Sequence, residues 1–160
     1  DEDTIRRNYD FYEPRTVHES SLSPCIHSIL ASRLGYREKA YNLYLRTARL
    51  DLDDYNKEVH QGLHITSMAG TWMSIVEGFA GKRIRNGSLH FEPSLPDKWQ
   101  AYSFKIMFRG RLLKIRVESG QTLITCEQGD KLECVVNGKK YAIVPGETTR
   151  ISAEPARPVS

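Results

Sequence analysis

The chain has 160 residues, 39% hydrophobic and 27% charged, with 23 Lys+Arg against 20 Asp+Glu. That balance excludes a disordered polyelectrolyte, and apolar runs of only a few residues exclude a membrane-spanning helix. The charge is unevenly divided: residues 1–80 hold 9 Lys+Arg and 12 Asp+Glu, while residues 81–160 hold 14 and 8.

The opening DEDTIRRNYD is polar and lacks both an initiator Met and an apolar core. It is therefore not a signal peptide and suggests a piece of a longer protein. Ser23-Pro24 then predicts a helix start, with Ser21 and Ser23 as capping residues. Ile26, Ile29, Leu30 and Leu34 follow at helical spacing and Gly35 supplies the stop. Arg37 to Leu50 predicts a second helix, with Ala40, Tyr41, Tyr44, Leu45 and Ala48 on one side. After the polar stretch DLDDYNKEVHQG, a third helix is predicted from Ile65 to Phe79.

Beyond Gly81 the period changes to two. Tyr102, Phe104, Ile106 and Phe108 alternate with polar residues or Met107, and the Leu113–Val117 and Leu132–Val136 runs repeat the pattern. Turn pairs such as Asn86-Gly87, Arg109-Gly110 and Asn137-Gly138 separate the runs, predicting an antiparallel sandwich or barrel of about six or seven short strands. The fold class expected is α+β, with a helical segment over 1–81, a β-sandwich over 82–153 and a disordered tail over 154–160. Cys25, Cys126 and Cys134 form no CxxC and no zinc-ligand spacing, so buried free thiols and no metal are expected.

In HITSMAGTWMSIVEGF, Ile65, Met68, Ala69, Trp72, Ile75, Val76 and Phe79 share one apolar arc, while His64, Ser67, Thr71 and Ser74 share another. An arc of small hydroxyls and an imidazole suggests a polar interior or cavity. Close helix packing through Gly70 and Ala69 is the plainer alternative. The start of this helix has no carboxylate in its first turn, so its N–H groups, with His64, Thr66 and Ser67, suit an anion. A Ser-His-acid nucleophile can be drawn in TVHESSLSP, but no GxSxG elbow accompanies it. Asp53, Asp54 and Glu58 read as solvated loop carboxylates. The basic residues of the second half alternate with apolar ones along strands and so read as a solvated face, not a nucleic-acid groove.

YEPRTVHESSLSP and EVHQGLHITSMAGTWMSIVEGFAGKR, in that order with two helices between, closely resemble the C-terminal part of glycoside hydrolase family 65 phosphorylases. HITSMAGTWMSIVEGF is most similar to the branch acting on maltose. The resemblance implies an (α/α)6 catalytic barrel, with residues 1–81 as its closing helices and a small C-terminal antiparallel β-sandwich after it. It implies inverting phosphorolysis, maltose plus phosphate giving β-glucose 1-phosphate and glucose, in a cytoplasmic homodimer with no cofactor, phosphate being a substrate. It also implies phosphate binding by His64, with Thr66 and Ser67 beside it and Ser20 and Ser21 in second rank. The general-acid glutamate and a Lys-Gln pair would lie upstream, so no catalytic residue is expected here and the chain alone should be inactive. Gln61 stands where many relatives carry an acidic residue.

The physical logic agrees with the implied chemistry. An inverting hydrolase needs a carboxylate to activate water, whereas phosphate is already an anion that a carboxylate would repel. Glu58 and Glu77 fall off the donor arc or before the helix, which disfavours hydrolysis. The remaining alternatives are phosphorolysis of trehalose, kojibiose or nigerose, and a non-catalytic carbohydrate-binding sandwich using Trp99, Tyr102 or Tyr141.

Overall fold

A computed structural model describes residues 1–152; the tail expected over 154–160 lies outside them. The chain divides into two compact units, Asp1–Gly78 and a second beginning at Phe79.

The first unit is helical. Helix α1 (Glu2–Tyr12) is an addition to the elements expected from sequence. Asp1 caps it by accepting the Thr4 N–H at 2.7 Å, and Tyr9 is its buried residue. A stripe this thin in a charged segment hides the helical period. Helix α2 (Ser23–Arg33) and helix α3 (Arg37–Ala48) match the expected helices. Gly35, at φ 81°, makes the turn between them in the left-handed region that glycine enters at little cost. The capping role of Ser21 and Ser23 is overturned: Leu22 is the N-cap residue, without a side-chain bond. The Ser21 hydroxyl goes to Thr66 and that of Ser23 to His18, five residues before it.

Helix α4 (Ile65–Met73) continues into a π-helical segment, Ser74–Phe79, so the third element is not α-helical to its end. Its orientation places the hydroxyl arc in the interior, as the polar-interior reading expects. Ser67 and Ser74 are buried, whereas Ile65, Met68 and Trp72 are exposed. Each inward hydroxyl of the helix donates to a carbonyl: Ser67 to Thr47 at 2.5 Å, Thr71 to Ser67 and Ser74 to Gly70, both at 2.9 Å. Small side chains that satisfy themselves this way allow close helix approach without stranding a polar atom. At Gly70 a Cβ would stand 2.9 Å from Cys25 Cβ and Sγ and 3.2 Å from Thr47 Cγ2, so α2, α3 and α4 meet there. Ser28 adds a bond to the Ala40 carbonyl at 2.8 Å. Close packing through Gly70 is the reading that holds; Ala69 is exposed.

Among the described residues the second unit has eight strands: β1 (Arg83–Arg85), β2 (Ser88–Phe91), β3 (Ala101–Phe108), β4 (Arg111–Glu118), β5 (Gln121–Gln128), β6 (Leu132–Val136), β7 (Lys139–Ile143) and β8 (Thr148–Ser152). They form two four-stranded sheets ordered β1-β2-β6-β7 and β3-β4-β5-β8. All pairings are antiparallel except β2 with β6, a parallel pair that corrects the all-antiparallel expectation. The alternation places Leu89, Phe91, Leu113, Ile115, Ile124, Val136 and Ile143 in the core. Cys126 and Cys134 join them as buried free thiols, with Cys25 buried and free in the helical unit. Burial pushes the Cys134 thiol up to about 11. At Asn86-Gly87, Arg109-Gly110 and Asn137-Gly138 both residues have positive φ, the geometry of tight hairpin turns.

Candidate functional site

The site begins at the entrance to α4. His64 is its N-cap residue, and the 3₁₀ turn Val59–Gln61 precedes it. Asp51, just after α3, clamps His64 twice. One carboxylate oxygen accepts the His64 backbone N–H at 2.9 Å, and the other lies 2.6 Å from Nδ1. The His64 hydrogen bonds hold the Asp51 carboxyl below the usual carboxylate range. An ionised Asp51 accepting from Nδ1–H fixes the ring's orientation and leaves Nε2 as the working nitrogen.

Ser21, in the loop before α2, reaches the same place. Its hydroxyl lies 2.7 Å from that of Thr66. Thr66 is exposed and Ser21 half-buried, so the pair is open to solvent. Ser20, also exposed, accepts the Leu22 N–H at 3.3 Å and shapes the turn that carries Ser21. Ser67 is not part of this surface: at 3% exposure it is turned inward onto α3, its one proton committed to Thr47. The helical count that groups His64 with Ser67 is geometrically sound. It does not report that the shared arc faces the protein.

Two acidic residues alter the electrostatics expected from sequence. Asp51 was hidden in DLDDYN, with no signal beyond its position after a helix. Glu58 does not stand apart from the donor group as expected, since its carboxylate lies 3.6 Å from His64 Nε2. The loop folds back through Asn56, whose amide donates to the Glu19 carbonyl at 3.1 Å and to Glu58 at 3.3 Å. Asp53 pairs with Arg49, and Asp54 accepts the Val59 N–H at 3.1 Å, so both serve the loop.

The local nucleophile drawn in TVHESSLSP does not form as written: Ser21 goes to Thr66, while His18 pairs with Ser23 at 2.8 Å. In the second unit, bases meet acids, Lys105 with Glu127 at 2.6 Å and Lys140 with Glu133 at 3.0 Å, as on a solvated sheet face. Tyr102 is buried and donates to the Ser94 carbonyl, and half-buried Trp99 packs edge-on against Tyr102 and Phe79. These aromatics build core and offer no exposed stacking platform.

The helical site residues fall within a match to the glycosyl hydrolase family 65 central catalytic domain, residues 1–73. Residues 83–143 match the C-terminal domain of the same family. The chain belongs to glycosyl hydrolase family 65. Among family 65 proteins, the Bacillus subtilis maltose phosphorylase is 54% identical over 127 residues, covering 79% of this chain and 17% of its own length. The α,α-trehalose phosphorylase of Thermoanaerobacter brockii is 45% identical over 145 residues, 91% of this chain and 19% of its own. A solved structure from the human microbiome that carries the kojibiose phosphorylase name aligns with TM-score 0.91 and 41% identity, over 98% of this chain and 23% of that one. The chain thus spans about a fifth of the length of these relatives. Among the described residues, no helix is long and apolar enough to cross a membrane.

Proposed function

We propose that the chain forms the phosphate-facing part of an inverting disaccharide phosphorylase, with His64, Thr66 and Ser21 directed at phosphate and Ser20 supporting them. The observation that carries this reading is the meeting of the Ser21 and Thr66 hydroxyls at 2.7 Å, two positions beyond an imidazole clamped by Asp51. Two hydroxyls and an imidazole Nε2 at a helix start give an oxyanion several hydrogen-bond partners. With both ring nitrogens protonated, His64 donates from Nδ1 to Asp51 and from Nε2 to a phosphate oxygen. Ser67 serves helix packing in this reading.

The chemistry follows from holding phosphate on one side of the sugar. A phosphate oxygen attacks the anomeric carbon from the face opposite the glycosidic bond, and a carboxylic acid outside this chain protonates the departing oxygen. The configuration inverts, yielding a β-sugar 1-phosphate. Maltose is the first substrate to test, supported by the 54% identity to a maltose phosphorylase, with trehalose, kojibiose and nigerose next. The exposed apolar side of α4, with Ile65 75% and Trp72 47% exposed, is read as packing against further helices of an (α/α)6 barrel supplied by the rest of the enzyme. A homodimer and a cytoplasmic setting belong to the same reading.

A hydrolase is the second reading, favoured by the Glu58 carboxylate beside His64 Nε2. There Glu58 would activate water where phosphate would otherwise bind. Maltose turnover by the full-length protein, followed as glucose 1-phosphate and glucose with and without inorganic phosphate, separates the two. Phosphate-dependent glucose 1-phosphate release supports the phosphorylase. Phosphate-independent glucose release that is lost in Glu58→Gln supports the hydrolase.

A further inference from the structure

A second polar cluster lies apart from the His64 group, where the end of α1, the loop after it and α2 come together. Glu13, His18 and His27 each place one potential ligand atom within 4.8 Å of the other two. Glu13 is 7% exposed, His18 8%, and His27 is half-buried. His18 Nδ1 lies 2.8 Å from the Ser23 hydroxyl, which leaves Nε2 directed at Glu13 Oε1, 3.6 Å away. Lys39 holds the other carboxylate oxygen, Oε2. Arg46 donates to the His18 carbonyl at 2.9 Å and fixes the loop that carries the ring.

The cluster's polar valences are not filled. His27 Nδ1 and the Tyr9 hydroxyl are buried without a hydrogen-bond partner among the described residues, and His18 Nε2 has only the long 3.6 Å contact to Glu13. The Tyr9 ring centroid is 5.8 Å from that of His27, and the two imidazole centroids are 4.6 Å apart. Buried polar atoms are normally paired, so several orphans around one carboxylate call for a bound species.

We propose that Glu13, His18 and His27 bind a divalent first-row metal ion, with zinc as the ion tested first. Two imidazoles and one carboxylate are a ligand set that zinc accepts, with positions left for water. Ser23 on the far side of His18 is the outer partner that fixes the tautomer and points Nε2 inward, as ligating histidines require. Lys39 and Arg46 add positive charge nearby and so set the affinity below that of the same ligands in a neutral shell. The ion ties the end of α1 to α2. Sequence spacing gives no hint of it, because Glu13, His18 and His27 match no zinc signature.

The test uses the full-length protein, stripped with chelator and titrated with Zn²⁺ and, as a visible probe, Co²⁺. The proposal expects saturable binding, a rise in Tm with Zn²⁺, and cobalt absorption bands. His27→Gln and Glu13→Gln remove all three responses, and Ser23→Ala weakens Zn²⁺ binding by about 10- to 100-fold. The apo Tm of each variant separates metal loss from misfolding, and half-buried His27 is the substitution least disruptive to packing. Absence of binding, or a Tm rise and cobalt spectrum unchanged in both His27→Gln and Glu13→Gln, overturns the proposal.

Discussion

The hydroxyls of Ser21 and Thr66, 45 residues apart in sequence, meet at 2.7 Å at the entrance to α4. If the pair faces phosphate, Ser21→Ala and Thr66→Ala each remove a bond to a charged oxyanion, worth about 1.5–3 kcal/mol. The expected outcome is a rise of about tenfold or more in KM for phosphate in the full-length enzyme, with KM for the disaccharide nearly unchanged. Initial-rate kinetics with each substrate varied in turn decide this. An equal loss for both substrates would mean the pair only supports the fold.

His64→Ala should weaken phosphate use far more than either single hydroxyl change, because it removes the ring that Asp51 orients. His64→Ala with unchanged phosphate kinetics would falsify the assignment.

Asp51→Asn keeps the shape of the clamp and removes its charge. Asp51 has a folded-state value below its unfolded one, so its contribution to stability is present above the ordinary carboxylate range and is lost as pH falls through the folded value. Tm measured against pH should therefore fall less steeply on the acid side in Asp51→Asn than in the parent. Identical acid limbs would show that the Asp51–His64 pair contributes nothing to folding.

Ser67→Ala separates packing from phosphate binding. Its hydroxyl is buried and bonded to the Thr47 carbonyl, so the substitution should cost about 1–3 kcal/mol of stability. Phosphate KM should stay within about twofold, a change of under roughly 0.5 kcal/mol. Denaturant unfolding and phosphate kinetics on the same variant read both quantities. A large KM effect would return Ser67 to the phosphate group.

Gly70→Ala should destabilise by about 1–3 kcal/mol, because the new methyl meets Cys25 at 2.9 Å at a three-helix contact. The better helix propensity of alanine offsets only about 1 kcal/mol of that. An unchanged unfolding midpoint would mean that α2 and α4 can move apart freely.

Local patterns in the amino-acid sequence determined α2, α3 and most strands of the second unit, because there the apolar period is set by one buried face and the turns by residues tolerant of positive φ. The family, too, was legible in YEPRTVHESSLSP and HITSMAGTWMSIVEGF, whose order and length carry it. Helix α1 was not, since only Tyr9 of its residues is buried and charge masks the period. Tertiary structure alone decided which side of α4 faces inward. Ile65, Met68 and Trp72 share an apolar arc but are exposed in this unit, where serines bonded to carbonyls and a glycine at a crowded contact face α2 and α3 instead. Only folding, likewise, brings Asp51 and Glu58 to His64, or Glu13 to His18 and His27. Carboxylates in a loop carry no periodic signal, and their partners are chosen by where the chain turns back.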